Sequence, residues 1–409
     1  MRISMISIAL TIVVNLITIA VVTGFQNEIR KKVVGFNAPL FVMKAGNNNS
    51  FEADPIRINQ SRLQEIVKMD GVKSVCPVMY KPALIRSDKF LDESAIDSNK
   101  SNYKQDVTGV VLKGIDKSYP MEFLKEHLIA GQLPTFDSNT EHIVLSKKIC
   151  NDLHFKVGDD IAIFFVKKRS LMKRFKIEGI FETGIEKIDN QMIFAPLTAV
   201  QKLSDFGIEN EDATDYVSGF EIQISDWNEL DVQQEKIAEK IELEPNEHGE
   251  TLQLKSILDS ENEIFSWLSF LDTNVLIIII LMLIIGIINI GSVLLVMIVI
   301  RSNFIGILKA LGANNWSIRK IFLYQTASLI LKGMLIGNVI GLMACYVQNE
   351  FQLLKLDASI YYISNVPIEL SVSNVIFINV ITFIVCMLSL LLPSMVISRI
   401  SPSKSIKFN

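Results

Sequence analysis

The side chains that could carry chemistry in this 409-residue chain are few and scattered. His127, His142, His154 and His248 share no metal-ligand spacing with one another or with cysteine. No Gly-x-x-x-x-Gly-Lys-Ser/Thr stretch occurs, so the loop whose backbone amides cradle nucleotide phosphates is missing. There is no Gly-x-Ser-x-Gly elbow, and paired carboxylates read as solvated helix faces. The pattern is that of a non-enzyme that binds no metal or cofactor of its own.

Two features resist that bland account. Lys332 is the one ionisable residue inside a long apolar run, about 18 Å of helix rise beyond Lys320. A charge at membrane depth is a functional hypothesis by default; the alternative is a side chain that snorkels or meets water in a dimer groove. The second feature is Arg301–Leu323, RSNFIGILKALGANNWSIRKIFL, which carries Arg301, Lys309, Arg319 and Lys320 and no acid. Within it Phe304, Ile305, Ile307, Leu308 and Leu311 are apolar at helical spacings, and Gly312 stands where a left-handed residue commonly stops a helix. Such a helix either lies on the bilayer or plugs into a cytosolic partner.

The four cysteines divide two and two. Cys345 and Cys386 lie in apolar runs and read as small packing residues. Cys76 and Cys150 lie in the polar segment and could pair in an oxidising compartment, although two cysteines are not a disulfide framework.

The elements that must position these residues follow from the distribution of apolarity. The chain is 49% hydrophobic, and four runs lack charge over spanning lengths: Ile3–Asn27, Thr273–Ile300, Ile321–Val347 (interrupted by Lys332) and Leu370–Ser398. Each exceeds the roughly 20 residues a transmembrane helix needs. The expected organisation is helix one at 1–27, a soluble domain at 28–272, helix two at 273–300, a basic loop at 301–320, helix three at 321–347, a loop at 348–369, helix four at 370–398 and a tail at 399–409. Basic residues in the 301–320 loop and in the tail place both in the cytoplasm, together with the N-terminus. The acidic 348–369 loop and the large domain then lie outside. A cleaved signal peptide would have a shorter apolar core and a clear cleavage site. Only Met1 and Arg2 precede the first run, which suggests an upstream cytosolic segment outside this sequence. The net charge of −4 argues against nucleic acid.

Within 28–272, helix one is expected to continue to Gly35. Strands are expected at Pro39–Ala45, Val72–Ile85, Val107–Ile115, Ile143–Leu145, Met192–Ala195 and Phe220–Ile224, with a hairpin of Ile161–Val166 and Phe175–Phe181. Helices are expected at Asn59–Met69, Ser146–Leu153 behind a serine cap, Pro196–Phe206 and Leu230–Ile241, and Ser87–Gln105 reads as a mobile loop. The result is an α+β module with a small β-rich subdomain around Gly158–Ile180. Glu250–Ile285 contains neither Gly nor Pro, so one helix is expected to run from about Leu254 into the membrane, the alternative being a break at Ser266 or Asp272. In helix three, Gly333, Gly337 and Gly341 share a face that lets a neighbouring helix backbone approach closely.

Three stretches resemble the FtsX-like permease family of ABC transporters and, within it, the LolC/LolE lipoprotein-releasing permeases. They are RISMISIALTIVVNLITIAVVTGFQNEIRKKVVGF, IRSNFIGILKALGANNWSIRKIFLYQ and LLPSMVISRISPSKSIK. The order LKGID, IAGQLP, IVLSKKICNDLHFKVGDDIAIFF and IEGIFETGI is similar to that family's external domain. The resemblance implies a four-helix MacB/FtsX-like permease in a bacterial inner membrane, with its large α+β periplasmic domain between helices one and two. Phe304, Ile305, Gly306, Ile307, Leu308, Lys309, Ala310, Leu311 and Gly312 would form the coupling helix that docks on a cytosolic ABC ATPase, which holds the ATP and Mg. Further partners implied are a second permease copy or sister chain, a lipoprotein substrate and a periplasmic carrier. Acyl chains would enter between helices one and two, along Ile3–Val22 and Val275–Ile298. Carrier-recruiting members use a long hairpin, whereas 166–175 is short and basic here; the commoner sequences also lead one to expect an apolar residue at Lys332. A MacB-type export permease and a signalling permease that drives cell-wall hydrolases are the alternative readings within the family.

Overall fold

The computed structural model describes residues 2–47, 54–58, 61–87, 90–91, 103–133, 141–165, 171–203, 213–242, 249–357, 361, 363 and 365–395. The expected tail at 399–409, most of the 87–105 loop, the tip of the 166–175 hairpin and His248 lie outside the described residues. In chain order the principal elements are α1 (Arg2–Phe36), β1 (Leu40–Lys44), α2 (Ser61–Ile66), β2 (Val72–Arg86), β3 (Val107–Ile115), β4 (Leu128–Gly131), β5 (His142–Ser146), α3 (Lys147–Leu153), β6 (Asp160–Phe165), β7 (Leu171–Phe181), β8 (Met192–Pro196), β9 (Gly219–Ile224), α4 (Leu230–Ile241), β10 (Leu252–Ser256), α5 (Asn262–Ile300), α6 (Ser302–Ala310), α7 (Asn315–Phe351) and α8 (Val372–Ser389). They form two compact units. Met1–Ile29, Ser266–Asp357 and Ile363–Asn409 make a helical unit, and Arg30–Phe265 with Ala358–Tyr362 make a sheet unit.

In the helical unit, α1, α5, α7 and α8 are each long and apolar enough to cross a membrane. Polar side chains tie them together. Asn338 on α7 and Asn379 on α8 exchange amide hydrogen bonds of 2.7 and 2.9 Å, and Asn289 on α5 donates to the Ser7 hydroxyl on α1 at 2.6 Å. Of the expected fourth helix at 370–398, the main helix covers Val372–Ser389, a short helix follows over Leu391–Ser394, and 396–398 lie outside the described residues. The break falls after Ser389, where the Pro393 ring would clash with the carbonyl four residues before it. The third starts earlier than expected, at Asn315. The Asn314 side chain accepts from the Trp316 amide there and caps the helix, so Arg319 and Lys320 lie on its opening turns rather than in a loop.

The sheet unit is built on β2, which is 15 residues long. Its first half pairs with β9 in the antiparallel order β10–β1–β9–β2. Its second half pairs with β3 from Met79 onward. The ladder then continues through β8, β5, β7 and β6, and β6 returns to Leu84 and Ile85 of β2. Those six strands therefore close into a barrel, which removes their free edges. Alternating residues fill it, among them Ile161, Ile163 and Phe165 from β6 and Phe175, Ile177 and Phe181 from β7. The expected β-rich subdomain around Gly158–Ile180 is thus one wall of a larger closed structure.

Local signals read from the sequence are kept in part. Ser146 caps α3, its hydroxyl accepting from the Ile149 amide at 3.1 Å. Pro196 stands at the N-cap of the helix it was expected to open and still pairs with Ile115 as the last residue of β8. The expected helix from Leu254 does not form there. Leu252–Ser256 is strand β10, paired with β1, and α5 starts only at Asn262 after a short turn of helix over Ile257–Ser260. Absence of Gly and Pro permits a helix but does not forbid a strand when a partner edge is at hand. Cys76 and Cys150 are both free and buried, so the pairing alternative does not hold.

Candidate functional site

The basic loop of the helical unit folds as α6, ended by Gly312 at φ +90°. Its apolar residues divide between two faces. Ile305 is fully buried and, with Leu308 half-buried, packs on the cluster that includes Met297, Ile298, Ile318 and Phe322. Phe304 and Ile307 are each 49% exposed and Leu311 is 80% exposed, and Trp316 on the opening turn of α7 is 51% exposed. Gly306 is buried, while Lys309 is half-buried and Ala310 exposed. Burial, and then the nearby Arg319 guanidinium, lower the Lys309 pKa from its ordinary value. The outcome is a set of exposed apolar side chains in a segment that also carries Arg301, Lys309 and Lys320. A helix needs one apolar face to hold it in place, and here the second has no cover among the described residues.

Gly333, Gly337 and Gly341 are all buried, and the helix they admit is the chain's own α1. A Cβ at Gly337 would stand 2.7 Å from the Ala9 carbonyl oxygen and 2.8 Å from Ile12 Cβ. At Gly333 it would meet Ile8 Cβ at 2.9 Å, and at Gly341 the Leu16 side chain at 3.1 Å. Only a missing side chain allows that separation. Lys332 is exposed, next to this seam in sequence but not in it.

In the sheet unit the structure assembles a polar cluster that sequence reasoning missed. Lys113 on β3 and Glu221 on β9 form an ion pair of 2.6 Å, with side chains 1% and 3% exposed. The Lys113 ammonium also donates to the Phe36 carbonyl at 2.7 Å and the Tyr119 hydroxyl at 3.0 Å. Tyr80 donates its hydroxyl to Glu221 at 2.8 Å. Burial lowers the Lys113 pKa, with Glu221 opposing, and burial together with the Glu221 charge raises those of Tyr80 and Tyr119 well above the phenol range. A charge inside the otherwise apolar stretches VTGVVLKGI and GFEIQI was the signal available in the sequence. Close by in the sequence of α1, the Arg30 guanidinium lies 5.0 Å from the Trp227 ring centroid, and that indole stacks on Phe265, near the start of α5, at 5.5 Å.

Residues 3–241 match the MacB-like periplasmic core domain, and residues 276–402 match the FtsX-like permease C-terminal model. The chain belongs to the FtsX-like permease family. Curated relatives extend the likeness to nearly full length. The lipoprotein-releasing system transmembrane protein LolC of Xylella fastidiosa (strain 9a5c) is 21% identical over 99% of this chain and 93% of its own. LolC of Buchnera aphidicola subsp. Schizaphis graminum is 23% identical over 98% and 92%. LolE of Haemophilus influenzae is 21% identical over 98% and 93%. Among solved structures, the extracellular domain of the noncanonic ABC-type transporter YknZ aligns with 53% of this chain and 99% of its own at 16% identity and a TM-score of 0.34.

Proposed function

We propose that this permease is the membrane-embedded subunit of an ABC complex that extracts lipoproteins from the inner membrane and passes them to a periplasmic carrier. The observation that carries the reading is the near-full-length likeness to LolC and LolE proteins, which spans the membrane helices and the soluble domain together. The α6 surface of Phe304, Ile307 and Leu311 supplies a docking face for a separate cytosolic ATPase, and ATP and Mg belong to that partner. This chain contributes no catalytic group. Its two termini are cytoplasmic and its sheet unit is periplasmic.

In this reading the ATPase cycle moves α1 and α5, each of which contributes residues to both compact units. The Phe36 carbonyl bonded to Lys113, and the Trp227 ring between Arg30 and Phe265, hold the sheet-unit ends of those helices. An unbroken helix advances about 1.5 Å per residue and transmits displacement along its axis. A second permease, identical or a sister chain, covers the exposed apolar stripe of α7 in which Lys332 stands with Ile336, Val339 and Met343.

The test is mass spectrometry of the complex purified from native membranes in mild detergent. An ATP-binding subunit with acylated lipoproteins is the expected outcome. An ATPase accompanied by a cell-wall hydrolase or an outer-membrane channel, and no lipoprotein, would keep the permease and refute lipoprotein release.

A further inference from the structure

The sheet unit contains a cavity of about 180 Å³. Its walls include Val33 from α1, Met43 from β1, Ile188, Met192 from β8 and Ile264 from α5, and Glu221 of the buried ion pair also lines it. Apolar cavities of roughly 150 Å³ admit a benzene-sized body.

The polar end of the cavity is unusual in what it still has to offer. One carboxylate oxygen of Glu221 (Oε1) takes both the Lys113 ammonium at 2.6 Å and the Tyr80 hydroxyl at 2.8 Å. The other oxygen, Oε2, has no hydrogen-bond partner among the described residues and less than 1 Å² of exposed surface, so a guest reaches it only as the side chains around it give way. An ammonium has three protons to donate, and those of Lys113 go to Glu221, the Phe36 carbonyl and the Tyr119 hydroxyl. The Tyr80 proton is committed to Glu221 as well. The second acid of the lining, Glu261, is paired with Lys187 at 2.7 Å. The Ser218 hydroxyl, buried in the same lining, is turned to the Met79 sulfur at 3.4 Å. Around Glu221 the site therefore accepts a hydrogen bond, and the donors packed there are already committed.

Charge narrows the choice of guest. The Glu221 charge is already balanced by Lys113, so a cationic guest would meet the Lys113 ammonium nearby without a free counter-charge. An anionic guest would meet the carboxylate, whose neighbouring donors are already committed. A neutral hydroxyl or amide N–H satisfies Oε2 and adds no charge to a desolvated site.

We propose that this cavity binds a small neutral amphiphile, an apolar body seated among Val33, Met43, Ile188, Met192 and Ile264 whose single hydroxyl or amide N–H donates to Glu221 Oε2. Its walls are drawn from α1 and α5 as well as the sheet, so occupancy bears on the same helix ends that Lys113 and Trp227 hold.

The experiment uses the full chain in lipid nanodiscs carrying Ile264→Cys, half-buried in the lining, with Ile188→Cys as a second reporter. The rate at which a small maleimide labels each introduced thiol is read by mass spectrometry of its peptide, which separates it from the buried native cysteines. The probes are benzyl alcohol, toluene and benzoate, which share a ring and differ in donor and charge. Benzyl alcohol is expected to slow labelling at least fivefold more than toluene, and benzoate to leave it unchanged. Adding Met192→Trp, which fills the cavity, is expected to abolish the difference. Equal protection by toluene and benzyl alcohol, or protection by neither, would overturn the proposal, the former leaving an unspecific apolar void and the latter a carboxylate satisfied by water.

Discussion

The Lys113 ammonium lies 2.7 Å from the carbonyl oxygen of Phe36, the last residue of α1. That carbonyl belongs to the final turn of a helix, where four acceptors lack an intrahelical partner and the dipole favours a cation. The same ammonium pairs with Glu221 at 2.6 Å on β9, so one buried group joins a helix end to two strands. Removing it strands both a carboxylate and a carbonyl. We expect Lys113→Met to cost about 3–5 kcal/mol of stability. The double change Lys113→Met with Glu221→Met, which leaves no uncompensated charge, should recover most of that loss in thermal unfolding of the full chain. A double variant no more stable than the single one would show that the charge balance is not what matters.

The seam between α1 and α7 gives an ordered series. The contact a new methyl group would make tightens from 3.1 Å at Gly341 through 2.9 Å at Gly333 to 2.7 Å at Gly337. Alanine should therefore cost least at Gly341 and most at Gly337, within the roughly 1–3 kcal/mol typical of overpacking. Gly337→Leu should separate the two helices altogether. Disulfide trapping of a cysteine pair placed on α1 and α7 would measure this, and equal trapping in all variants would contradict the geometry.

The two faces of α6 predict different failures. Phe304→Asp and Ile307→Asp alter exposed residues and should leave the chain stable and membrane-inserted while ATPase co-purification falls at least tenfold. Leu308→Asp puts a charge against the Ile305, Ile318 and Phe322 cluster and should lower stability as well. If the exposed-face variants retain the ATPase, α6 is an interfacial helix.

Asn15 on α1 is 1% exposed, and neither its amide nitrogen nor its oxygen has a partner among the described residues. Asn15→Leu should raise stability by about 1–3 kcal/mol, the desolvation penalty of such a group. Gain of stability together with loss of transport would mark the amide as functional; unchanged melting would mean that it finds a partner in the assembled complex.

Burial pushes the Cys150 thiol up to about 12, against 9.0 for a free thiol. Below pH 9 both folded and unfolded chains hold the proton, and the thiol's contribution is fully present. Between pH 9 and 12 the unfolded chain releases it first, so stability falls as pH rises. Tyr80 and Tyr119, raised well above the phenol range, add losses of the same sign. Melting temperatures from pH 8 to 11 should therefore decline less steeply in Cys150→Ala than in the parent chain, and parallel curves would contradict the assignment.

The sequence by itself determined the four apolar helices and the amphipathic period around Ile305, because hydropathy and helical spacing are local properties of the chain. It determined the family, since the GFQNEIR, IGILKALGA and LLPSMVISR stretches are contiguous. Where partners are distant in sequence, only the tertiary structure decided. β2 closes the barrel by pairing with β3, immediately after it, and with β6, about 80 residues on, and no alternation pattern encodes which edge meets which. Leu252–Ser256 is a strand because β1 offers it an edge, although its composition allows a helix. The period of α6 did not say which of Phe304 and Ile305 faces inward; the packing of Ile318 and Phe322 did. Lys113 and Glu221 lie 108 positions apart, each a single charge in an apolar strand, and their pairing exists only once β2 lies between the strands that carry them.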